Sequence, residues 1–352
     1  MKKTLKKGLS VRGDSLYCPL SFSLDSYWNC LTKCHHCYLR NLNRTWGEDL
    51  RPLDVEKTER DLRNGIKNLN PKTPLAHCLS RKKTIRWGNK SDPFQIAEQK
   101  FKIANRIFPV LIDLKWTFVI QTKFTHVLAD YSDFILQAHQ LKLITLLPII
   151  SPGLNKDWEI FEQKKTTSPR QRLRYISELS KKAGVPVGVN GEPFIPGFHT
   201  EKDFENTLKF LLSYGIKRYN TYNLHLNPLV AKNFHQIGLD IEKIWTMNQD
   251  HYWKPILQRL LDLSKKYDIL LGCPDFVNSG PHWKERANTC CGIDVPNPTT
   301  FNTHFWKKGI QENKKPLQIL RETWDGSGNW EVGKKIVFGD SNDFYTLKDA
   351  GF

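Results

Sequence analysis

The stretch NCLTKCHHCYLR, residues 29–40, places three cysteines, Cys30, Cys34 and Cys37, in the spacing Cys-x3-Cys-x2-Cys. Three thiolates can hold three irons of a [4Fe–4S] cube and leave the fourth iron without a protein ligand. Such an iron is free to bind a small molecule. The spacing therefore predicts an iron–sulfur site with one open coordination position.

Zinc is the alternative metal for this stretch, because His35 and His36 lie among the cysteines and zinc binds both sulfur and imidazole ligands. A structural zinc site needs four ligands, usually in two spaced pairs. Cys78 comes alone, near His77, and no second pair follows closely. The iron–sulfur interpretation is favoured, and a zinc knuckle stays open.

Composition indicates a globular protein with one large core. The chain has 352 residues and is 39% hydrophobic, which suits a single barrel with an appendage. Residues 1–15 form a basic N-terminal segment that no apolar stretch follows, so we expect neither a secretory signal nor a membrane partner. Two close pairs in the sequence, Cys34/Cys37 and Cys290/Cys291, suit metal or redox roles better than disulfides. We therefore expect a cytoplasmic protein.

The charge balance points to polyanionic partners. Lys and Arg number 53 against 36 Asp and Glu, a net charge of +17. An excess of positive charge attracts phosphates and steers association, although it also serves solubility. We expect a nucleic acid or a nucleotide as the partner.

Apolar β-rich runs alternate with helical patterns along residues 16–268, which is typical of a parallel α/β architecture. The pattern predicts strands at 20–24, 84–87, 116–121, 143–150, 186–190 and 217–224. It predicts helices at 54–69, 92–108, 126–141, 168–184, 201–214 and 250–266. Six strand–helix units make a partial (β/α)6 barrel, whose site lies at the carboxyl ends of the strands. A strand at 269–274 begins a loop-rich C-terminal extension, residues 269–352.

The cysteine spacing, followed by the aromatic Tyr38, resembles the signature of the radical S-adenosylmethionine (SAM) enzymes. Further stretches are similar to the spore photoproduct lyase-like branch: WGNKSDPFQ (residues 87–95), TKF (122–124), TSPRQRL (167–173) and PFIPG (193–197). The resemblance spans about residues 20–225. It implies that the open iron chelates SAM, that a reductant such as flavodoxin or ferredoxin supplies an electron, and that a 5′-deoxyadenosyl radical removes hydrogen from a substrate.

Within this resemblance, six residues are candidates for SAM contacts: His36, Tyr38, Gly88, Lys123, Ser151 and Arg172. Lys123 is a candidate to bind the SAM carboxylate. Arg172 is a candidate to bind the same carboxylate through two hydrogen bonds; alternatively, Arg172 is a surface ion-pair partner of Glu162. Gly88 allows a close backbone approach, or only makes a turn. Asp92, before Pro93, is expected to cap a helix rather than to bind a ligand.

One departure from the branch concerns the loop after the second strand. The resemblance implies that a cysteine there returns hydrogen to the product radical, and this chain has Asn89 at that position. The N–H bonds of asparagine are much stronger than a thiol S–H bond. We therefore expect a reaction other than thymine-dimer repair by that route.

The C-terminal extension carries three further cysteines, Cys273, Cys290 and Cys291. They are candidates for an auxiliary iron–sulfur cluster, with Cys18 or the substrate as fourth ligand, or for a hydrogen donor. Alternatively they are small buried residues. Tryptophans mixed with cations in the same region suit either base stacking or a small core.

The sequence thus predicts a radical SAM enzyme that acts on a nucleobase of the thymine type, in DNA or in a nucleotide. One alternative is radical SAM modification of a peptide or a small metabolite. A second alternative is a non-catalytic zinc-containing protein that binds nucleic acid.

Overall fold

A computed structural model describes residues 8–11, 20–39, 50–69, 74–272 and 293–297. The strands are β1 (Leu9–Val11), β2 (Phe22–Leu24), β3 (Tyr27–Trp28), β4 (Arg51–Pro52), β5 (Ile85–Trp87), β6 (Phe118–Thr122), β7 (Ile144–Pro148), β8 (Val189–Asn190), β9 (Arg218–Asn220) and β10 (Leu270–Gly272). The α-helices are α1 (Val55–Ile66), α2 (Pro74–Ser80), α3 (Glu98–Phe101), α4 (Ala104–Asp113), α5 (Thr125–Leu128), α6 (Ser132–Gln140), α7 (Asn155–Ile160), α8 (Pro169–Ala183), α9 (Glu201–Ser213), α10 (Pro228–Gln236), α11 (Ile241–Met247) and α12 (Asp250–Lys266). A 3-10 turn, Ala129–Tyr131, joins α5 to α6.

Local signals define the ends of the long helices. Helix α8 begins after Ser168, whose side chain accepts from a first-turn backbone N–H, and Pro169 occupies the first helical position. It ends at Gly184, which has a φ of 73°. Helix α9 begins with a reciprocal capping box between Thr200 and Asp203. These boundaries agree with the predicted helices 168–184 and 201–214.

The strands form a mainly parallel sheet. One group has the order β1-β2-β5-β6-β7, in which only β1 is antiparallel to its neighbour, and a second group has the parallel order β10-β9-β8. Isolated parallel bridges, Leu146 with Val187 and Ile149 with Asn190, connect β7 to the segment around β8. A short antiparallel hairpin pairs β3 with β4. The fold is therefore α/β with a parallel sheet, whereas its closure into a partial barrel stays a prediction.

Alternate residues of each strand face opposite sides of the sheet. Ile85 and Trp87 of β5 are fully buried in the large apolar core, and the intervening Arg86 faces the other side. On that other side, Ile293 and Val295 pack with Val119 and other apolar residues. Thus one side of the sheet carries the main core, and the other combines a small apolar cluster with polar groups.

Several predicted elements differ from the observed ones. The predicted helix 92–108 is wrong, because Lys102 adopts a left-handed conformation (φ 47°) that separates α3 from α4. Helix 126–141 is interrupted by the 3-10 turn, and the strands are shorter than predicted. The prediction missed α2, α7, α10, α11, the β3–β4 hairpin, and β1, which lies in the segment predicted only as a basic N-terminus. None of the helices in the described ranges is both long and apolar enough to cross a membrane.

Candidate active site

The cysteine loop, residues 29–39, follows the β3 strand and is fixed at its start by a buried glutamine. Gln95 is fully buried; its Nε2 donates to the Asn29 carbonyl oxygen (3.1 Å), and its Oε1 accepts from the Leu31 N–H (2.8 Å). Within the loop, the Cys37 N–H donates to the Cys34 carbonyl (3.1 Å). Side-chain and backbone hydrogen bonds together therefore set the path of the loop between its cysteines.

The far half of the loop is fixed by residues from other parts of the chain. The His35 N–H donates to the Phe161 carbonyl (2.9 Å), and Asn233 Nδ2 donates to the His35 carbonyl (3.2 Å). Asn227 Nδ2 donates to the carbonyl of Tyr38 (2.9 Å). Such anchoring from several elements is what a preorganised metal-binding loop requires.

A cavity lies beside this loop at the carboxyl ends of the parallel strands. It contains about 980 Å³ of space not filled by protein, including the part open to solvent. Its lining includes the three cysteines of the loop and, from the strand ends, Gly88, Lys123, Ile149, Asn190 and Tyr222. The carboxyl edge of a parallel sheet is the usual location of ligand sites in α/β folds.

Lys123 brings a cation to the cysteine loop. Its ammonium Nζ lies 3.7 Å from Cys34 Sγ, 3.2 Å from His36 Nε2 and 2.9 Å from Glu162 Oε1. Burial acts to lower the pKa of Lys123, but its interactions with Cys34 and with the Glu162 carboxylate outweigh burial, and the net shift is upward. Lys123 is thus a buried side chain, 8% exposed, whose ammonium pairs with the Glu162 carboxylate.

Burial dominates the chemistry of the Cys34 thiol. It raises the pKa of Cys34 to about 12, although Lys123 acts in the opposite direction. The metal-free thiol therefore stays protonated at neutral pH. A metal bound at Cys34 would displace that proton, since thiolate is the ligand form.

Glu162 is the centre of a buried ionic network. Its carboxylate pairs with Lys123 and with Arg172, and it also accepts from the Thr166 hydroxyl. Glu162 and Arg172 are each only 1% exposed. Arg172 further donates from Nε to the Lys123 carbonyl (3.2 Å) and from Nη1 to the Ile149 carbonyl (2.5 Å). Two cations thus share one anion, and the network carries a net positive charge.

The Lys123 contact determines the tautomer of His36. Burial is the main cause that lowers the pKa of His36 well below its usual value, and Lys123 adds to it. Because an ammonium can only donate, we assign Nε2 as the acceptor and place the ring proton on Nδ1. Nδ1 is buried, and in the part of the chain that the structure describes it has no hydrogen-bond partner.

Two buried aspartates, which the sequence did not identify as site residues, shape the rim of the cavity. Asp25 Oδ1 accepts from the backbone N–H groups of Asn89 (3.1 Å), Lys90 (2.7 Å) and Ser91 (3.3 Å). Asp92 accepts from the backbone N–H of Lys123 (2.6 Å) and from a neighbouring threonine hydroxyl. Burial raises the pKa of both carboxyls. Asp92 is therefore a strand-end anchor and not the expected helix cap.

The structure brings four of the six predicted SAM-contact residues to the cavity: His36, Tyr38, Gly88 and Lys123. Ser151 and Arg172 are not among the lining residues. The Ser151 hydroxyl is buried without a hydrogen-bond partner among the described residues. Arg172 pairs with Glu162, the partner considered in the second alternative, but the pair lies in the interior and not at the surface. The lining also includes residues that the sequence did not identify: Arg86, Lys90, Gln121, Asn190, Glu192, Asn223 and His225.

Gly88 has a clear packing role. Its φ is 102°, and a Cβ there would lie 2.5 Å from the Gln121 carbonyl oxygen. The expectation that it makes a turn is thus consistent with the geometry. Cys273, Cys290, Cys291 and Cys18 lie outside the described residues, so a second cluster stays a prediction.

The three loop thiols are ligands of the kind that an iron–sulfur cluster requires. Cys30, Cys34 and Cys37 line the same cavity, and none of the three forms a disulfide with another described residue. Across the described ranges, no three His, Cys, Asp or Glu side chains converge on one point as ligands of a single metal ion do. A cubane instead binds each thiolate to a different iron.

The sequence matches no protein-family model and no curated protein at a significant level. The structure, however, is similar to that of a spore photoproduct lyase variant with one tyrosine replaced by phenylalanine. That match has a TM-score of 0.56 at 13% identity and covers 74% of this chain and 79% of the lyase. A doubly substituted spore photoproduct lyase with bound AdoMet and dinucleoside spore photoproduct matches with a TM-score of 0.55 at 13% identity, over 77% and 80% of the chains. At this identity the likeness concerns the fold alone: the chain shares the α/β fold of these lyases.

Proposed function

We propose that this protein is a radical SAM enzyme built on a partial (β/α)6 barrel. The observation that supports this most strongly is the meeting of the three loop cysteines with Lys123 and Gly88 in one cavity at the strand ends. The similar fold of a lyase whose structure contains AdoMet adds support by analogy.

Cys30, Cys34 and Cys37 would hold a [4Fe–4S] cluster, and the cavity beside them would take SAM. A bound cluster would supply the electron for the reductive cleavage of SAM to methionine and a 5′-deoxyadenosyl radical, and that radical would take a hydrogen atom from the substrate. The protein's own part is binding, orientation and protection from water.

The chain supplies these roles with identified residues. Gln95 and Asn233 hold the cysteine loop through hydrogen bonds to its backbone. Asp25 and Asp92 hold the strand-end loops that form the opposite rim. His36 and Tyr38 stay the candidates for contacts to SAM from the loop itself.

A thymine-type nucleobase, in DNA or in a nucleotide, is the substrate that we favour. Two cations, Arg86 and Lys90, line the cavity in addition to Lys123, and the whole chain carries a net charge of +17. Both features suit a phosphate-bearing substrate. A flavodoxin or a ferredoxin is the proposed electron donor.

Asn89 argues for a reaction other than dimer repair. It lines the cavity, and its backbone N–H is held by Asp25 (3.1 Å). An amide at this position cannot return a hydrogen atom as a thiol does. We propose thymine modification or isomerisation instead.

Anaerobic reconstitution with iron and sulfide, followed by reduction with dithionite in the presence of SAM, tests the proposal. The wild-type protein should release methionine and 5′-deoxyadenosine, and Cys34→Ala should release neither. With oligonucleotides deuterated in the thymine methyl group, deuterium should appear in 5′-deoxyadenosine. Absence of SAM cleavage by a protein with a full complement of cluster would contradict the proposal.

Two other functions make different predictions. A peptide- or metabolite-modifying radical SAM enzyme would cleave SAM but would bind DNA without the steep salt dependence that phosphate contacts give. A zinc protein that binds nucleic acid would be colourless, and it would not react with SAM.

A further inference from the structure

We infer that Lys123 sets the reduction potential of the cluster by donating a charged hydrogen bond to the sulfur of Cys34. The inference rests on the proposed function, because it requires a cluster on the cysteine loop. It gives Lys123 a positioning and tuning role, in place of the SAM carboxylate contact that the sequence suggested.

The geometry of the ammonium carries this inference. A lysine ammonium has three protons, and three acceptors surround Nζ of Lys123: Glu162 Oε1 at 2.9 Å, His36 Nε2 at 3.2 Å and Cys34 Sγ at 3.7 Å. The protein itself therefore accounts for every donor of Lys123. A SAM carboxylate would have to displace one of these contacts.

The surrounding network holds the cation in place. Glu162 fixes Nζ, while the Arg172 guanidinium donates to the Lys123 carbonyl at 3.2 Å and fixes the backbone. Asp92 accepts from the Lys123 N–H at 2.6 Å. Both ends of Lys123 are thus held by buried groups, which is how outer-shell residues orient metal ligands.

The sign of the effect follows from charge. Reduction adds one electron to the cluster and no proton, so the reduced form is the more negative one. Lys123 and Arg172 both pair with the Glu162 carboxylate, so these three residues together carry a net positive charge beside the sulfur. A positive charge and a hydrogen bond to sulfur both stabilise the reduced cluster. Lys123 therefore raises the potential and makes the cluster easier to reduce.

Redox titration of reconstituted protein, followed by the electron paramagnetic resonance signal of the reduced cluster, tests the inference. Lys123→Met should lower the midpoint potential enough to change the reduced-to-oxidised ratio at fixed potential at least tenfold, which is 59 mV for one electron. Lys123→Arg keeps the charge and should recover most of the potential.

Lys90→Met is the matched control. It removes one cation from the same cavity, but Lys90 donates to the Ser10 hydroxyl (3.0 Å). It should move the potential much less than Lys123→Met. A purely structural role for Lys123 would change the melting temperature and leave the potential of the assembled cluster unaltered.

The outcomes separate the two levels of the proposal. Failure of the wild-type protein to assemble a cluster overturns the proposed function. Two results would overturn only the role of Lys123. One is a midpoint potential that is equal in the wild type and in Lys123→Met. The other is a potential that falls as far in Lys90→Met as in Lys123→Met. If Lys123→Met assembles no cluster, the midpoint potentials of the Lys123→Arg and Glu162→Gln proteins decide whether Lys123 tunes the cluster. The arginine variant should keep the wild-type potential, and the glutamine variant, which loses the anion beside Lys123, should have a higher one.

Discussion

Replacing Glu162 by glutamine should destabilise the protein strongly, because the change leaves two buried cations without their counter-charge. Glu162 and Arg172 are each 1% exposed, and Lys123 is 10% exposed at its side chain. Removing one partner of a buried ion pair typically costs about 3–5 kcal/mol. For a domain of this size, that corresponds to a fall in melting temperature of roughly 6–20 °C.

Glu159→Gln is the matched control. Glu159 lies on the short helix α7, which ends two residues before Glu162, and it pairs with Lys164 at 3.2 Å, but their side chains are 53% and 59% exposed. Exposed pairs contribute at most about 1 kcal/mol. Urea denaturation of both variants, with thermal melting as a second readout, measures the difference directly.

The stability difference between the wild type and Glu162→Gln should also depend on pH. Burial acts to raise the pKa of Glu162, but Arg172 and Lys123 outweigh it and lower the pKa well below its usual value of 4.5. A carboxyl whose pKa is lowered by folding stabilises the protein fully above its unfolded-state pKa. The difference should therefore be constant above about pH 5.5 and shrink as the pH falls below about 4.5, where the unfolded chain takes up the proton first. Equal stability of Glu162→Gln and Glu159→Gln at pH 7 would refute this account of the network.

Three further predictions concern the loops and the core. Asp25→Ala should destabilise the protein by about 2 kcal/mol or more in urea denaturation, since three backbone N–H groups lose their acceptor; Asp25→Asn keeps an acceptor oxygen and should cost less than half as much. Gly88→Ala should lower the free energy of unfolding by about 2 kcal/mol or more, because a Cβ would lie 2.5 Å from a carbonyl oxygen. Gly184→Ala, where a Cβ would have its nearest neighbour at 3.7 Å, should lower it by about 1 kcal/mol. Equal losses in the two variants would show that the close contact at Gly88 is unimportant. Tyr131→Phe removes the hydroxyl that donates to the buried Glu98 (2.7 Å) and should lower the free energy of unfolding by about 1–3 kcal/mol; an unchanged value would mean that the hydroxyl is not needed there.

The sequence predicted those features that local signals determine. Helix α8 was found because Ser168, Pro169 and Gly184 mark its ends within the helix itself. The position of Lys123 beside the cysteine loop followed from a different rule, since the carboxyl ends of parallel strands share one edge of a sheet. Both kinds of inference require no knowledge of tertiary packing.

Tertiary contacts explain the features that the sequence did not predict. Asp92 precedes a proline and has the local signature of a helix cap, yet its carboxylate accepts from the N–H of Lys123, the residue that follows β6. Glu162 was considered only as a surface partner of Arg172, because nothing in the neighbouring residues shows that both would be buried with Lys123. The role of Asp25 depends on loop residues more than sixty positions away.

The central claim is that Cys30, Cys34 and Cys37 bind a [4Fe–4S] cluster with one iron open to SAM. The most direct measurement is the iron and sulfide content of anaerobically reconstituted protein, together with the electron paramagnetic resonance spectrum of the reduced cluster before and after SAM is added. Cys78→Ala, which changes a buried cysteine outside the loop, serves as the control. The account predicts about four irons and four sulfides per protein bound at this loop. They should be lost when all three loop cysteines are replaced by alanine and kept in Cys78→Ala. Adding SAM should alter the spectrum of the reduced cluster. A cluster that persists in the triple variant, or a spectrum that SAM leaves unchanged, would contradict it.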